Sequence, residues 1–328
     1  MNYRSIFNLL GILLGMFSLS FLPPLALTFI YDESNKNIFL FSFIFFLISG
    51  LLMWFGTRHK KLALNISDGF IITTMFWIVL ACAGAIPFYF FGLSVSDSVF
   101  ESVSGITTTG ATTIVGLDEY PKSILLYRQL LQWIGGMGLI VLAVAVMPAL
   151  GIGGGQLYKM ELPGSHGSQK LTPKITDSAK ALWKIYVGLT LVCALLYLIS
   201  GMSIFDAIAH SLSTVAGGGF STHDNSIGFF ESGLIEWVCI IFMLLSAASF
   251  AVHYAAIFGG QPLKYFYDSE FRFFMSVVLI ISTICLLVNI LNDSYSDVAL
   301  AFSSSIFHTV SIVTTSGFTT ENFSLWPG

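Results

Sequence analysis

The stretch His-Ser-Leu-Ser-Thr-Val-Ala-Gly-Gly-Gly-Phe-Ser-Thr, residues 210–222, decides the fold, because two further versions of it occur in the chain. Residues 101–113 read Glu-Ser-Val-Ser-Gly-Ile-Thr-Thr-Thr-Gly-Ala-Thr-Thr, and residues 308–320 read His-Thr-Val-Ser-Ile-Val-Thr-Thr-Ser-Gly-Phe-Thr-Thr. We call 101–113, 210–222 and 308–320 the first, second and third windows. They align without a gap, and the residues they share are Ser104, Ser213 and Ser311; Gly110, Gly219 and Gly317; and Thr113, Thr222 and Thr320. The glycines are 109 and 98 residues apart, so the repeating unit is too long for a solenoid.

The composition is that of a membrane protein. Hydrophobic residues make up 55% of the chain, charged residues make up 10%, and the mean hydropathy is +0.83. Seven charge-poor runs are each long enough to cross a bilayer core of about 30 Å as a helix. The runs are 5–30, 37–57, 69–96, 129–158, 185–205, 237–263 and 273–292. The sequence therefore predicts an all-α membrane protein.

The basic residues orient these predicted helices. Eleven of the fourteen Lys and Arg residues fall on one side, and only Lys36, Lys122 and Arg128 fall on the other. The positive-inside rule assigns the larger group to the cytoplasm, so we expect a cytoplasmic amino terminus and three outward-facing windows. Thirteen of the eighteen acidic residues lie outside or in the windows. They are either a negative vestibule that attracts cations or ordinary solvated loop charges.

A short segment before each shared glycine is predicted to enter the membrane and return on the same side. Its candidate N-cap residues, each four residues before its window begins, are Asp97, Asp206 and Ser304. From the cap to the glycine there is room for about two to three helical turns, which cannot span a bilayer. The negative end of such a half-helix would face the membrane interior and favour a cation there.

The glycine in each window has a specific predicted task. When successive carbonyl oxygens replace the hydration shell of a cation, alternate residues need backbone angles that glycine adopts at no steric cost. The neighbouring Thr, Ser and Gly residues are small enough for several segments to converge on one axis. The windows therefore predict an ion filter.

The predicted organisation places an amino-terminal hairpin before helix–pore-loop–helix repeats. The segments are a transmembrane hairpin at 1–66, a first repeat at 67–150, a cytoplasmic loop at 151–180, a second repeat at 181–260 and an incomplete third repeat at 261–328. We expect the parent protein to continue for about 150 residues, since a fourth filter and the remaining helices would need one and a half repeats with spans of about 20 residues.

Three phrases, together with the windows, resemble the Trk-type potassium uptake proteins, and the TrkH branch in particular. They are Thr-Thr-Thr-Gly-Ala-Thr at 107–112, Gln-Trp-Ile-Gly-Gly-Met-Gly at 132–138, and Gln-Leu-Tyr followed by Lys-Leu-Thr-Pro-Lys-Ile within 156–175. The resemblance covers essentially the whole chain. It implies a potassium-channel-like fold in which four units surround one K⁺ pathway, in a homodimer in the bacterial inner membrane that a cytosolic nucleotide-binding subunit, TrkA, regulates.

The resemblance also implies which residues face the ion. These are Thr108, Thr109 and Gly110, then Gly217, Gly218 and Gly219, then Thr315, Ser316 and Gly317. K⁺ is the transported ion, and no covalently bound cofactor, other metal or nucleic acid is expected. The basic loop 159–184 suits contact with either the regulatory subunit or anionic lipid.

The first residue of each window is ionisable and lies within the predicted membrane region. Glu101, His210 and His308 hold this position, and intramembrane ionisable groups are functional by default. We expect them to brace the filter by hydrogen bonds from the pore helix, with direct ion contact as the alternative. Gly135, Gly136 and Gly138 suit either close helix packing or a gating hinge.

Two other classes of function were weighed against the ion pore. A secondary solute transporter with broken helices would also place Gly-rich backbone near the midplane, but such transporters commonly have inverted repeats, and the charge pattern gives all three repeats one orientation. An intramembrane hydrolase needs a nucleophile and base or a metal motif, and His210, His223, His253 and His308 lack chelate spacing. The chain is therefore predicted to be a non-enzymatic transport protein.

Overall fold

The computed structural model describes residues 3–57, 66–150 and 175–327 of the chain. Regular secondary structure in these residues consists of helices alone. They are α1 Tyr3–Ser18, α2 Leu22–Ile30, α3 Lys36–Thr57, α4 Ile66–Phe91, α5 Val95–Ile106, α6 Lys122–Leu150, α7 Ile175–Ile199, α8 Ile204–Ala216, α9 Gly233–Ala247, α10 Phe250–Ile257, α11 Lys264–Tyr267, α12 Ser269–Leu291 and α13 Val298–Val313. Short 3₁₀ turns occur at Leu19–Phe21, Leu117–Glu119, Ser226–Phe230 and Phe323–Leu325.

Five stretches of the described residues are long and apolar enough to cross a membrane. They are Tyr3–Ile30, Lys36–Thr57, Asp68–Phe91, Lys180–Ile199 and Ser269–Leu291, and they coincide with five of the seven predicted runs. The predicted run 129–158 corresponds to α6, which begins earlier, at Lys122. Residues 151–158 lie outside the described residues, as does most of the predicted cytoplasmic loop.

The predicted membrane-crossing run 237–263 is not one continuous helix. This run folds as α9 and α10, which are bent by 101° at a short break. Ala248 is extended, and the Ser249 hydroxyl accepts a hydrogen bond from the Ala251 amide at 3.4 Å, which starts a new helix. His253 stabilises the bend because its Nε2 donates to the Leu245 carbonyl at 2.9 Å, near the end of α9, and the same carbonyl accepts from the Ala248 amide at 3.2 Å.

The described chain divides into two compact units. One contains α1 to α6 together with Ala111–Ile114, and the other contains Thr108–Gly110, Val115–Asp118 and the chain from Lys180 onwards. In the first unit, Phe21, Phe39 and Phe88 surround Tyr127 with ring centroids 5.2 to 5.6 Å away. The Tyr127 hydroxyl donates to the Gly84 carbonyl at 2.9 Å, so the buried ring has its polar end satisfied.

Helices α1 and α3 cross closely through glycines. A Cβ atom on Gly50 would lie 2.6 Å from the amide nitrogen of Gly15, and one on Gly11 would lie 2.8 Å from the carbonyl oxygen of Gly50. Small residues allow this approach, which is the usual basis of helix association in membranes. The amino-terminal hairpin is thus a packed pair.

The short helices α5, α8 and α13 contain 12, 13 and 16 residues. At 1.5 Å per residue they extend about 18 to 24 Å, too short for a bilayer core of about 30 Å. Each is tied by a polar hydrogen bond to the longer helix before it. These bonds join Ser102 to the Ala81 carbonyl at 2.7 Å, Thr214 to Tyr197 at 2.9 Å and Ser305 to Asn289 at 3.2 Å.

The predicted N-caps of these helices are wrong. The caps are Ser94, Ser203 and Asp297, so each helix begins before the residue that the sequence indicated. Asp97 and Asp206 occupy the third helical position, where their amides donate to the Ser94 and Ser203 hydroxyls at 3.1 Å. Each hydroxyl in turn donates to the aspartate, at 2.6 and 2.7 Å, so a reciprocal pair caps the helix where a single aspartate was expected.

Replacing Gly50 with alanine should destabilise the hairpin, because the new methyl group would press on the backbone of α1, and overpacking costs about 1–3 kcal/mol. Gly56→Ala is the matched control, since nothing lies within 4 Å of its Cβ position on the same helix. We expect a lower thermal unfolding midpoint in detergent for Gly50→Ala and an equal or higher midpoint for Gly56→Ala. Equal losses in the two variants would contradict the close crossing.

Candidate ion filter

Each short helix ends just before the glycine of its window, and the backbone then alternates in hand. In each window, the shared glycine and the residue two before it both have positive φ. The φ angles are 54° at Thr108 and 80° at Gly110, 68° at Gly217 and 76° at Gly219, and 62° at Thr315 and 78° at Gly317. The three predicted filter segments therefore share one backbone pattern.

The two left-handed residues of each window adopt this conformation for different reasons. The first follows directly on the helix end, where a left-handed residue commonly caps the last turn. Thr108 and Thr315 hold this position although they carry side chains, so the expectation that only glycine suits these alternate positions is wrong there. A left-handed non-glycine residue costs about 1–2 kcal/mol. The second member is glycine in every window, and helix capping does not explain it.

Close approach between segments explains the glycine in the first two windows, whereas nothing lies within 4 Å of the Cβ position of Gly317 in the third. A Cβ atom on Gly110 would overlap the carbonyl oxygen of Gly218, and one on Gly219 would overlap the carbonyl oxygen of Ser316. Gly218 and Ser316 occupy the same position, one before the shared glycine, in their windows. The three filter segments lie in one compact unit and converge at the level of this glycine.

The shared serine of the windows holds the backbone just beyond the glycine. The Ser104 hydroxyl donates to the Ala111 carbonyl at 2.6 Å, and the Ser311 hydroxyl donates to the Phe318 carbonyl at 2.6 Å. The acceptor is in both cases the residue after the shared glycine. The sequence comparison found this serine in every window but gave it no role.

The first residue of each window accepts hydrogen bonds from the segment after the glycine. Glu101 Oε1 accepts from the Thr113 amide at 2.7 Å and from the Thr112 hydroxyl. His210 and His308 each donate from Nδ1 to the carbonyl four residues earlier, at 3.0 Å, which leaves Nε2 as an acceptor.

The two imidazoles then receive bonds that parallel those of Glu101. The Ser221 hydroxyl donates to His210 Nε2 at 3.0 Å, and the Thr320 amide donates to His308 Nε2 at 3.4 Å. A carboxylate and a neutral imidazole are thus interchangeable here because each supplies an acceptor. That these contacts support ion binding stays a prediction.

The carboxylate in the first window has a buried cation beside it. Arg128 Nε lies 3.2 Å from Glu101 Oε2, and the two side chains are 1% and 0% exposed. Arg128 Nη2 also donates to the Thr112 hydroxyl at 2.9 Å. By its place in the sequence, Arg128 was expected among the charges of the outer side. The signal for its role was the glutamate that stands where the other windows have histidine, because a buried carboxylate requires a partner.

Gly135 packs against the end of the first short helix. A Cβ atom at this position would overlap the Ile106 carbonyl oxygen, the last residue of α5. Of the two interpretations of the glycines on α6, this contact favours close packing at Gly135.

These features define a class: a membrane-embedded protein of repeated helix, pore-loop and helix units, like those of potassium channels. A family model described as "TrkH: Cation transport protein" matches residues 34–328. The chain belongs to the TrkH family of cation transport proteins, as the predicted resemblance indicated.

Individual relatives agree with this assignment. The chain is 48% identical to the Trk system potassium uptake protein TrkH of Vibrio parahaemolyticus and 44% identical to that of Escherichia coli K12, covering all of this chain and 68% of each relative. It is 40% identical to the Trk system potassium uptake protein TrkG of Escherichia coli K12, over 99% of this chain and 68% of that protein. The crystal structure of the potassium transporter TrkH from Vibrio parahaemolyticus superposes with a TM-score of 0.88 at 45% identity, over 100% of this chain and 68% of the other.

Replacing Glu101 with glutamine should destabilise the protein strongly, because Arg128 would keep its buried charge without a counter-charge. Breaking a buried ion pair on one side costs about 3–5 kcal/mol, whereas replacing both partners is often nearly neutral. We therefore expect a large fall in the thermal unfolding midpoint for Glu101→Gln and a partial recovery in Glu101→Gln/Arg128→Met. The exposed Glu119→Gln is the control, and a double variant less stable than the single one would rule out the charge explanation.

Proposed function

We propose that the chain is a pore-forming subunit of a bacterial potassium uptake system and that K⁺ passes the carbonyl groups of its three filter segments. The observation that carries this proposal is the pair of left-handed residues that recurs in all three windows where the segments converge. Alternation of left-handed with right-handed or extended backbone directs successive carbonyls to one side of a segment. Such carbonyl oxygens replace the hydration shell of a cation, and they do so without any charged side chain.

The short helices add to this effect. Their carboxyl ends, Ile106, Ala216 and Val313, lie three or four residues before the shared glycines. Each end carries the equivalent of about half a negative charge, which favours a cation beside it. Transport by this route needs no covalent chemistry, because the ion exchanges water for backbone oxygens and then recovers the water.

The assembly and orientation also belong to the proposal. The printed names of the relatives refer to a Trk system, and on the family resemblance we propose a homodimer in the inner membrane that a TrkA-type nucleotide-binding subunit regulates. The distribution of Lys and Arg supports a cytoplasmic amino terminus.

A secondary solute transporter remains the second candidate because of one observation. The 101° break between α9 and α10 is a discontinuous helix, which is the usual binding element of such transporters. The break is distant in sequence from the three windows, and it leaves their common backbone pattern unexplained. The ion pore accounts for that pattern directly.

Gly219→Ser should abolish transport, because the side chain would meet the Ser316 carbonyl at a φ of 76°. The test is rubidium uptake and growth at low potassium in a bacterium lacking its own potassium uptake proteins but retaining a TrkA-type subunit. The chain would be joined to the region of the Vibrio relative outside the alignment. Strain of about 1–2 kcal/mol by itself predicts a roughly five- to thirtyfold loss of uptake, and the overlap with the Ser316 carbonyl adds to that loss.

Gly233→Ser is the matched control, since nothing lies within 4 Å of that Cβ position. We expect it to transport as the unmodified protein does, at the same level in the membrane. Normal rubidium uptake by Gly219→Ser would refute the filter, and absence of uptake from a well-expressed unmodified protein would favour the solute transporter.

A further inference from the structure

His223 follows the second window directly and lies between two carboxylates. Its Nδ1 contacts Asp118 Oδ1, and its Nε2 lies 3.4 Å from Asp206 Oδ1, an ion-pair distance. The side chain of His223 is 15% exposed, so protons from the outer solution reach it. Its ring stacks on Phe229 with 3.4 Å between centroids and 5° between planes, which fixes its orientation.

Asp224, the next residue, binds backbone amides of the loop that contains Asp118. Its Oδ1 accepts from the amides of Gly116 and Leu117, each at 3.1 Å, and its own amide lies 3.4 Å from Asp118 Oδ2. We call these contacts of His223 and Asp224 with Val115–Asp118 the outer clip. All of these residues belong to one compact unit.

The charged groups around His223 come from three elements. Asp118 lies in the 3₁₀ turn Leu117–Glu119, Asp206 lies in α8, and Asp224 is the next residue in the chain. The titratable but neutral His210 also lies in α8. The facing turn Ser226–Phe230 contributes only the rings of Phe229 and Phe230. Asp206 also accepts from the Thr222 hydroxyl at 2.8 Å, so the same carboxylate holds the last residue of the second window.

We propose that His223 is a positioning residue whose protonated form holds Val115–Asp118 against the end of the second window, so that the acidity of the outer solution sets how firmly the outer mouth of the filter is braced. Its consequence for transport rests on the proposed function, whereas the outer clip itself does not. A protonated imidazole donates from both nitrogens and pairs with both carboxylates. A neutral one has a single donor and therefore binds only one of the two carboxylates.

The direction of the pH dependence follows from the two partners. Burial lowers the pKa of His223, but Asp206 and Asp118 outweigh it, so the pKa lies above the usual 6.5. The bond from His223 lowers the pKa of Asp118 below the usual 3.8. The contribution of His223 to stability is therefore complete below pH 6.5 and is lost as pH rises through its raised pKa. The contribution of Asp118 to stability is complete above pH 3.8 and is lost as pH falls through its lowered pKa.

Amide hydrogen exchange of the 328-residue chain, purified in detergent, tests the outer clip without any need for transport. Protection at Gly116, Leu117 and Asp224 would be measured from pH 5.5 to 9 and corrected for the intrinsic base-catalysed rate. We expect a fall of roughly fivefold as His223 loses its proton, the size of a partly exposed ion pair.

Three variants make the test specific. His223→Gln should show low protection and no pH step, and Asp118→Asn should move the step to lower pH, because one of the two carboxylates that raise the pKa is gone. The exposed neighbour Glu119→Gln should match the unmodified chain. A pH step that persists unchanged in His223→Gln, or an unmoved midpoint in Asp118→Asn, would overturn the proposal. If His223→Gln fails to fold, the midpoint in Asp118→Asn decides alone.

A second measurement connects the outer clip to transport. Rubidium uptake by the joined protein described above would be followed in proteoliposomes at fixed internal pH while the outer pH is varied. We expect uptake to fall over the same pH range as the exchange protection, with the midpoint moved by Asp118→Asn. If exchange protection changes with pH but rubidium uptake does not, the link between the outer clip and transport is overturned. No uptake at any pH would instead count against the proposed function.

Discussion

Backbone that leaves a helix inside a membrane has no water to satisfy its N–H and C=O groups, and this constraint governs the three windows. Each window responds with side chains of its own short helix. The Ser104 and Ser311 hydroxyls donate to a carbonyl beyond the glycine, and the first residue of the window supplies an acceptor to the same segment.

The acceptor at the first position shows how one requirement is met by different chemistry. His210 and His308 serve as neutral imidazoles because a backbone carbonyl takes the Nδ1 proton. Glu101 serves as a carboxylate, and its charge then requires Arg128 on α6. A buried pair of this kind is costly to desolvate, and its value lies in fixing geometry rather than in net stability. The first window is therefore held by a charged pair, whereas the other two use an imidazole acceptor.

Several acidic residues of the predicted outer side have structural partners. The sequence had suggested either a negative vestibule or solvated loop charges, and neither interpretation included such partners. Asp97 and Asp206 complete helix caps, Glu33 accepts hydrogen bonds from Ser123, and Asp224 holds the amides of the neighbouring loop. Their charge still favours a negative field on the side of the membrane that the sequence predicts to be the outer one. Their positions, however, are set by helix termini and loops, since these are the places where backbone N–H groups need acceptors.

The sequence by itself determined the membrane class, the family, the three windows, five of the spanning stretches and the short helices before each glycine. The family followed from the resemblance carried by the windows and three phrases, and the other features follow from local rules of hydropathy, repeat spacing and helix length. The predicted cap positions were wrong, because a serine three residues ahead of the aspartate caps the helix instead. The break after Ala247 was not predicted, because the contact of His253 with the Leu245 carbonyl forms only in the folded chain. Only the tertiary structure decided that Arg128 pairs with Glu101, that Gly219 meets the Ser316 backbone, and that His223 lies between Asp118 and Asp206. The paired residues are 17 to 105 positions apart, and nothing in local sequence specifies which distant groups meet once the helices pack.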